Sequence, residues 1–136
     1  MSAIRPLLAL ALLATALAGC SDIKDAATDT ANGAACSVAQ KAVDGVSGQV
    51  DSAIDEIGAD PEAARTKLSG LRDILDTAQS GISGDAKDAL SDAADALGRL
   101  AGEAGDAARG ADIDTSAITN AKDAFGDAVD GVRDFC

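Results

Sequence analysis

Apolar residues recur along residues 36–136 at alternating steps of three and four positions. This spacing returns apolar side chains to one side of an α-helix and is typical of the buried seam of a packed amphipathic helix. Four such seams follow one another. Their members are Cys36, Ala39, Val43, Val46, Val50, Ala53 and Ile57; then Ala64, Leu68, Leu71, Leu75, Ala78 and Ile82; then Ala86, Leu90, Ala93, Leu97, Leu100 and Ala104; then Ile118, Ala121, Phe125, Ala128, Val132 and Phe135.

Helix-start and helix-break residues separate the four seams. Residues 60–62, Asp-Pro-Glu, form a helix start, with Asp as N-cap, Pro in the first turn and Glu near the positive end of the helix dipole. Residues 83–85, Ser-Gly-Asp, break the chain again, and residues 105–114 form the third break, with Asp112 or Asp114 as the next N-cap. Short breaks favour antiparallel neighbours, so residues 36–136 are predicted to form an all-α, up-down-up-down four-helix bundle.

Aspartates and glycines dominate the positions off the seams. We interpret the acidic array as a solvated outer face, which Arg65, Lys67 and Arg72 of the second segment partly neutralise. Each glycine inside a helix costs about 1 kcal/mol relative to alanine, so the third segment is predicted to be the weakest helix. Its glycines indicate either close approach of a partner helix or sequence drift. The glycines concerned are Gly98, Gly102 and Gly105, with Gly126 in the fourth segment.

The charge and composition exclude several classes of function. With 23 acidic and 11 basic side chains the net charge is −12, which opposes binding to nucleic acid or to anionic lipid head groups. The chain has no His, which removes the commonest member of acid–base, zinc and triad sites. We therefore predict no enzyme, no catalytic residue, no metal site and no cofactor. Large apolar residues make up only about a fifth of residues 20–136, so disorder is the alternative to a folded bundle.

The first twenty residues have the organisation of a targeting segment. One positive charge at Arg5 precedes an apolar run over 7–17, which is shorter than the about 20 residues of a membrane-spanning helix. The run ends in residues 17–20, Leu-Ala-Gly-Cys. This motif resembles the lipobox of bacterial lipoproteins. The alternative is an ordinary secretory signal with a chance cysteine.

The resemblance implies a location and an anchor. Residues 1–19 would be removed, and Cys20 would become the lipidated first residue of a protein on the extracytoplasmic side of the cell membrane or outer envelope. Two or more acyl chains give stable anchoring, whereas one chain binds a membrane only marginally. Residues 21–35 are polar and small, so with Cys20 they are predicted to form a flexible tether with a turn at Asn32-Gly33, or else a frayed extension of the first helix.

Two cysteines remain once Cys20 carries lipid. Disulfides persist outside the cytoplasm, where the resemblance places the protein. Cys36 opens the first segment and Cys136 ends the fourth, and in a bundle with an even number of helices those ends lie together. We therefore predict a Cys36–Cys136 disulfide that turns this end of the bundle towards the membrane. The alternative is two free or intermolecularly paired thiols.

These predictions favour a non-enzymatic envelope lipoprotein that acts as a structural or interaction module. Its partners would be the membrane, through the covalent lipid on Cys20, and an unidentified envelope protein. The alternative is a carrier of lipid or another small apolar ligand between the helices, although alanine-rich seams leave little room for a cavity. A third hypothesis, an apolipoprotein-like coat that opens onto a membrane, conflicts with the disulfide and the acidic faces.

Overall fold

A computed structural model describes the backbone of residues 21–136 and the side chains from Gly33 onwards. Residues Asn32–Cys136 form a compact unit. The described residues form four α-helices: α1 (Ser21–Ala59), α2 (Pro61–Gln79), α3 (Asp85–Ala108) and α4 (Thr115–Phe135). The all-α, four-helix prediction is confirmed.

In the bundle, each helix lies beside the helix that follows it in the chain, and α4 returns to lie beside α1. α3 packs against both α2 and α4. α1 is joined to α2 by the Lys67–Glu56 ion pair, and to α4 by the pairs Arg133–Asp44 and Lys122–Asp51. In the α1–α4 pairs the residue number rises along one helix as it falls along the other, so these two helices run antiparallel. This arrangement is the predicted up-down-up-down bundle.

The predicted N-caps of α2 and α4 form through side-chain hydrogen bonds. The backbone N–H of Ala63 donates to the Asp60 carboxylate at 3.0 Å, and Pro61 occupies the first helical turn. Of the two candidates before α4, Asp114 is the cap: it accepts from the N–H groups of Ser116 and Ala117, both at 3.0 Å. These bonds satisfy donors that the first turn of a helix leaves without intrahelical partners.

Glycine ends α3 by a backbone conformation that other residues rarely adopt. Gly110 has φ +90°, and its N–H donates to Ala107 O while the N–H of Ala111 donates to Asp106 O. This pair of bonds is a Schellman motif, which closes a helix with a left-handed residue. The chain can therefore turn directly from α3 towards α4.

Most seam residues lie in one hydrophobic core, in which alanine is the most frequent residue. Ala86 and Ile118 are half-buried against the core. Cys36, at the start of the first seam, is also half-buried. α3 buries a wider face than its seam, through small residues that lie beside the seam. The additional buried residues of α3 and α4 are Ala89, Ala94, Ala96, Gly105 and Val129.

Two predictions about local structure are wrong. Residues 21–35 are helical and belong to α1, so the flexible tether with a turn at Asn32-Gly33 is replaced by an extension of the first helix. The segment is rich in alanine and free of proline, which favours helix over coil. Phe135, which the spacing assigns to the fourth seam, is 56% exposed, because its ring lies beside Gly131 in a solvent-open groove between α3 and α4.

Adjacent residues of α2 provide a matched test of the core. Leu75 is fully buried, whereas Ile74 is 48% exposed. We expect Leu75→Ala to lower the free energy of unfolding by about 2–5 kcal/mol, and Ile74→Ala to lower it by about 0.5 kcal/mol or less. Urea denaturation followed by circular dichroism measures both. Equal losses would contradict the assignment of the buried face of α2.

Alanine substitutions at one glycine inside α3 and one glycine just after it should change stability in opposite directions. A Cβ at Gly102 meets no heavy atom of the described residues within 4 Å, so Gly102→Ala should stabilise the protein by up to about 1 kcal/mol through helix propensity. Gly110→Ala should destabilise it by about 1 kcal/mol or more, because φ is positive there. Thermal unfolding of both variants checks the pair. A loss of stability in Gly102→Ala would indicate that this position needs glycine.

Candidate functional site

Cys20, the predicted lipidation site, lies outside the residues that the structure describes. α1 begins at the next residue, Ser21. The removal of residues 1–19 and the acylation of Cys20 therefore stay predictions. Within the described part of the chain, no helix is both long enough and apolar enough to cross a membrane.

Cys36 and Cys136 are joined by a disulfide. Cys36 lies in α1 and Cys136 follows the last residue of α4, and their Cα atoms are 5.3 Å apart. That separation lies within the usual range for disulfides, about 4.4–6.8 Å. The predicted pairing is thus supported by the helix arrangement that led to it. The bond closes a loop with a sequence separation of 100 residues. This loop contains α2, α3, α4 and the part of α1 that follows Cys36.

Cations of α4 also cross the seam between α1 and α4. The Lys122 Nζ lies 2.7 Å from Asp51 Oδ1, and Arg133 Nη2 lies 3.1 Å from Asp44 Oδ1. The hydrogen bond and charge of Asp51 raise the pKa of Lys122 above its usual value. These pairs are solvent-exposed, so each contributes little to stability. The sequence pattern does not predict these pairs, because the register between the first and last helices is set only in the folded bundle.

Cations of α2 face both of its neighbours. Lys67 Nζ lies 2.7 Å from Glu56 Oε1 of α1, in agreement with the predicted pairing of the second segment with acidic neighbours. On the other side, a Cβ at Gly98 of α3 would lie 3.3 Å from the Arg72 guanidinium. A Cβ at Gly105 would lie 3.4 Å from Cδ of Arg65. Two glycines of α3 therefore lie under arginine side chains of α2, and not against the backbone of another helix.

A surface groove of about 500 Å³ runs between α3 and α4. Its floor is made of small residues, Ala89 of α3 with Ala124, Ala128 and Gly131 of α4. The exposed ring of Phe135 lies at the end of the groove nearest the disulfide. The groove is open to solvent and has an apolar base.

Carboxylates line the sides of this groove. Asp85, Asp88 and Asp92 come from α3 and Asp127 from α4. Among the described residues, Arg99 is the one cation of the groove lining. All four aspartates are exposed, and none forms an ion pair with another described residue. The α3–α4 seam thus differs from the other three, each of which is crossed or covered by cations.

The acidic array as a whole is exposed, as the sequence analysis predicts. Every aspartate predicted to lie off the seams is exposed. These residues are Asp44, Asp51, Asp55, Asp73, Asp76, Asp88, Asp92, Asp95, Asp123, Asp127, Asp130 and Asp134. Among the described residues no group of three or more His, Cys, Asp or Glu side chains is placed to hold a metal ion. The spacing of Asp85, Asp88 and Asp92 at i, i+3 and i+7 was the available sequence signal for the groove. It did not reveal which helix lies opposite.

No known protein family matches this chain, and no curated protein or solved structure is significantly similar to it.

The disulfide should contribute strongly to the stability of the bundle. In the chain-entropy description, opening a loop of this length costs up to about 4–5 kcal/mol of unfolding free energy. We expect Cys36→Ser/Cys136→Ser to lower the urea midpoint, and reductant to lower the wild-type midpoint to the same value. The double variant in reductant is the control and should show no further change. A wild-type midpoint that does not move on reduction would contradict the prediction.

Proposed function

We propose that this protein is a bacterial envelope lipoprotein, anchored by acyl chains on Cys20 and facing the extracytoplasmic side of the cell membrane or outer envelope. The observation that carries the proposal is the lipobox-like Leu-Ala-Gly-Cys at residues 17–20, directly after a short apolar run with one preceding charge. The Cys36–Cys136 disulfide supports it, because such bonds persist in oxidising compartments.

The role that the bundle supports best is that of a non-enzymatic structural or interaction module. Its exposed surface is strongly acidic, with a net charge of −12 for the chain. Such a surface is repelled by anionic lipid head groups, so the covalent lipid would have to supply the membrane attachment. The acidic surface is then left free to contact another envelope component.

The alternative, a carrier of lipid or another apolar ligand, finds less support. The core helices meet through alanine, valine and leucine side chains, many of which are fully buried. The α3–α4 groove is open and has four carboxylates along its sides, which would be desolvated beside an apolar ligand at a cost in free energy. Ligand carriage therefore ranks second to protein interaction.

The anchor is tested by intact mass and labelling in a bacterial host. The wild-type protein should have the mass of residues 20–136 plus acyl chains, should gain two hydrogens on reduction, and should incorporate labelled palmitate. Cys20→Ser should lose the acyl chains and leave the membrane fraction. Cys36→Ser/Cys136→Ser is the matched control and should stay acylated. An unlipidated wild-type mass would contradict the proposal.

A further inference from the structure

The base of the α3–α4 groove is lined with small residues, which is the property that a helix-docking surface needs. Ala89 and Ala128 are each 7% exposed, and Ala124 and Gly131 are half-buried beside them. A Cβ at Gly131 would lie 3.5 Å from the Cβ of Ala89, so the two helices already meet closely at the base of the groove. Small side chains along this line would let another helix approach near to the backbone. Phe135, which is 56% exposed, adds an aromatic surface at one end.

The charges of the groove select the kind of helix that fits it. On α3 the carboxylates of Asp85, Asp88 and Asp92 lie along one ridge of about 10 Å, at 1.5 Å rise per residue. Asp127 lies on the opposite helix. The four are not gathered into a metal site in the described part of the chain, so they suit several separate cations spaced along a helix. Lysine or arginine at i, i+3 and i+7 has that spacing.

Each of the other three seams of the bundle is crossed or covered by cations of the chain itself. α2 carries three acidic and three basic side chains, whereas α3 carries six acidic and two basic side chains. Lys67, Lys122 and Arg133 bridge α1 to α2 and α4, and Arg72 lies over α3. The α3–α4 groove has no bridging ion pair among the described residues. Its negative potential is therefore available to a partner.

We propose that the α3–α4 groove docks a basic amphipathic helix of another envelope protein. The apolar face of that helix would lie on Ala89, Ala124 and Ala128, and its flanking lysines or arginines would pair with the aspartates on either side. This inference rests on the proposed role as an interaction module and names the partner class. A second copy of this chain is a poor occupant, because its own helices carry an excess of acidic side chains.

Binding of a defined probe tests the proposal. The probe is a fluorescent helix of about 18 residues, long enough for five turns, with leucine and alanine on one face and lysine at i, i+3 and i+7 on its flanks. The full mature chain is used as purified, in zwitterionic detergent, and fluorescence anisotropy reports binding. A scrambled peptide of the same composition and a glutamate-for-lysine peptide are the controls, and both should bind at least about tenfold more weakly.

Charge-matched variants locate the binding site. Asp85→Asn/Asp88→Asn/Asp92→Asn/Asp127→Asn should weaken binding about tenfold or more. The control removes four carboxylates elsewhere and should change binding less than about twofold. The control variant is Asp55→Asn/Glu62→Gln/Asp73→Asn/Asp112→Asn.

A second pair of variants tests the floor without changing charge. Ala124→Gln places a longer side chain in the half-buried floor and should weaken probe binding about tenfold, whereas Ala63→Gln, on the exposed face of α2, should leave it unchanged. The aspartate variant removes Asp85 and Asp88 from the first turn of α3, which weakens that helix. Ala124→Gln and Ala63→Gln leave those residues in place, so they test the groove even if the aspartate variant is poorly folded. Circular dichroism checks that both variants are folded.

The possible results separate this inference from the lipid anchor. Equal loss of binding in the groove and control charge variants would overturn the docking site, because the attraction would then be diffuse. Equal binding of the scrambled peptide, or self-association that blocks the probe, would also overturn it. The mass of the same sample reports acylation independently, so an unlipidated protein that binds the probe through the groove would reject the anchor alone.

Discussion

Close approach of the helices is the constraint on which this bundle depends. Alanine is the most frequent residue of the core, and its side chain buries less apolar surface than leucine or phenylalanine. A small side chain provides cohesion only where two helices lie near enough for such side chains to meet. Ala89 is an example, because its Cβ lies 3.5 Å from the point where a Cβ at Gly131 would stand. A thin core leaves a narrow margin over chain entropy. The Cys36–Cys136 bond reduces that entropy for the unfolded chain.

The helical arrangement could be predicted because each seam needs only local information. The three-and-four spacing of Val46, Leu68 and Leu97 places them on buried faces, and the capping residues mark where α2 and α4 begin. The seam rule failed at Phe135, where the spacing continues but no neighbouring helix covers the ring. It also missed Val129, which is buried. Residues 21–35 lack apolar periodicity yet are helical, and their alanines favour a helix.

The groove could be predicted only in part. Exposure of its aspartates follows from their positions off the seams, and the spacing of Asp85, Asp88 and Asp92 on one ridge can be read along the chain. The position of Asp127 on the other side depends on the rotation of α4 relative to α3, which core packing decides. The same applies to Lys122 and Arg133, whose partners on α1 are distant in sequence. Contacts between side chains on two different helices therefore could not be predicted from the sequence alone.

The covalent link between Cys36 and Cys136 also determines how the bundle would respond to mechanical tension. A pull between a residue before Cys36 and Cys136 passes along the backbone to the first cysteine and crosses the sulfur–sulfur bond to the second. The chain between the two cysteines, which includes α2 and α3, lies outside this path and carries none of the load. A helical bundle held by packing alone would be peeled apart and lengthen. This one would transmit force at constant length, as an inextensible link.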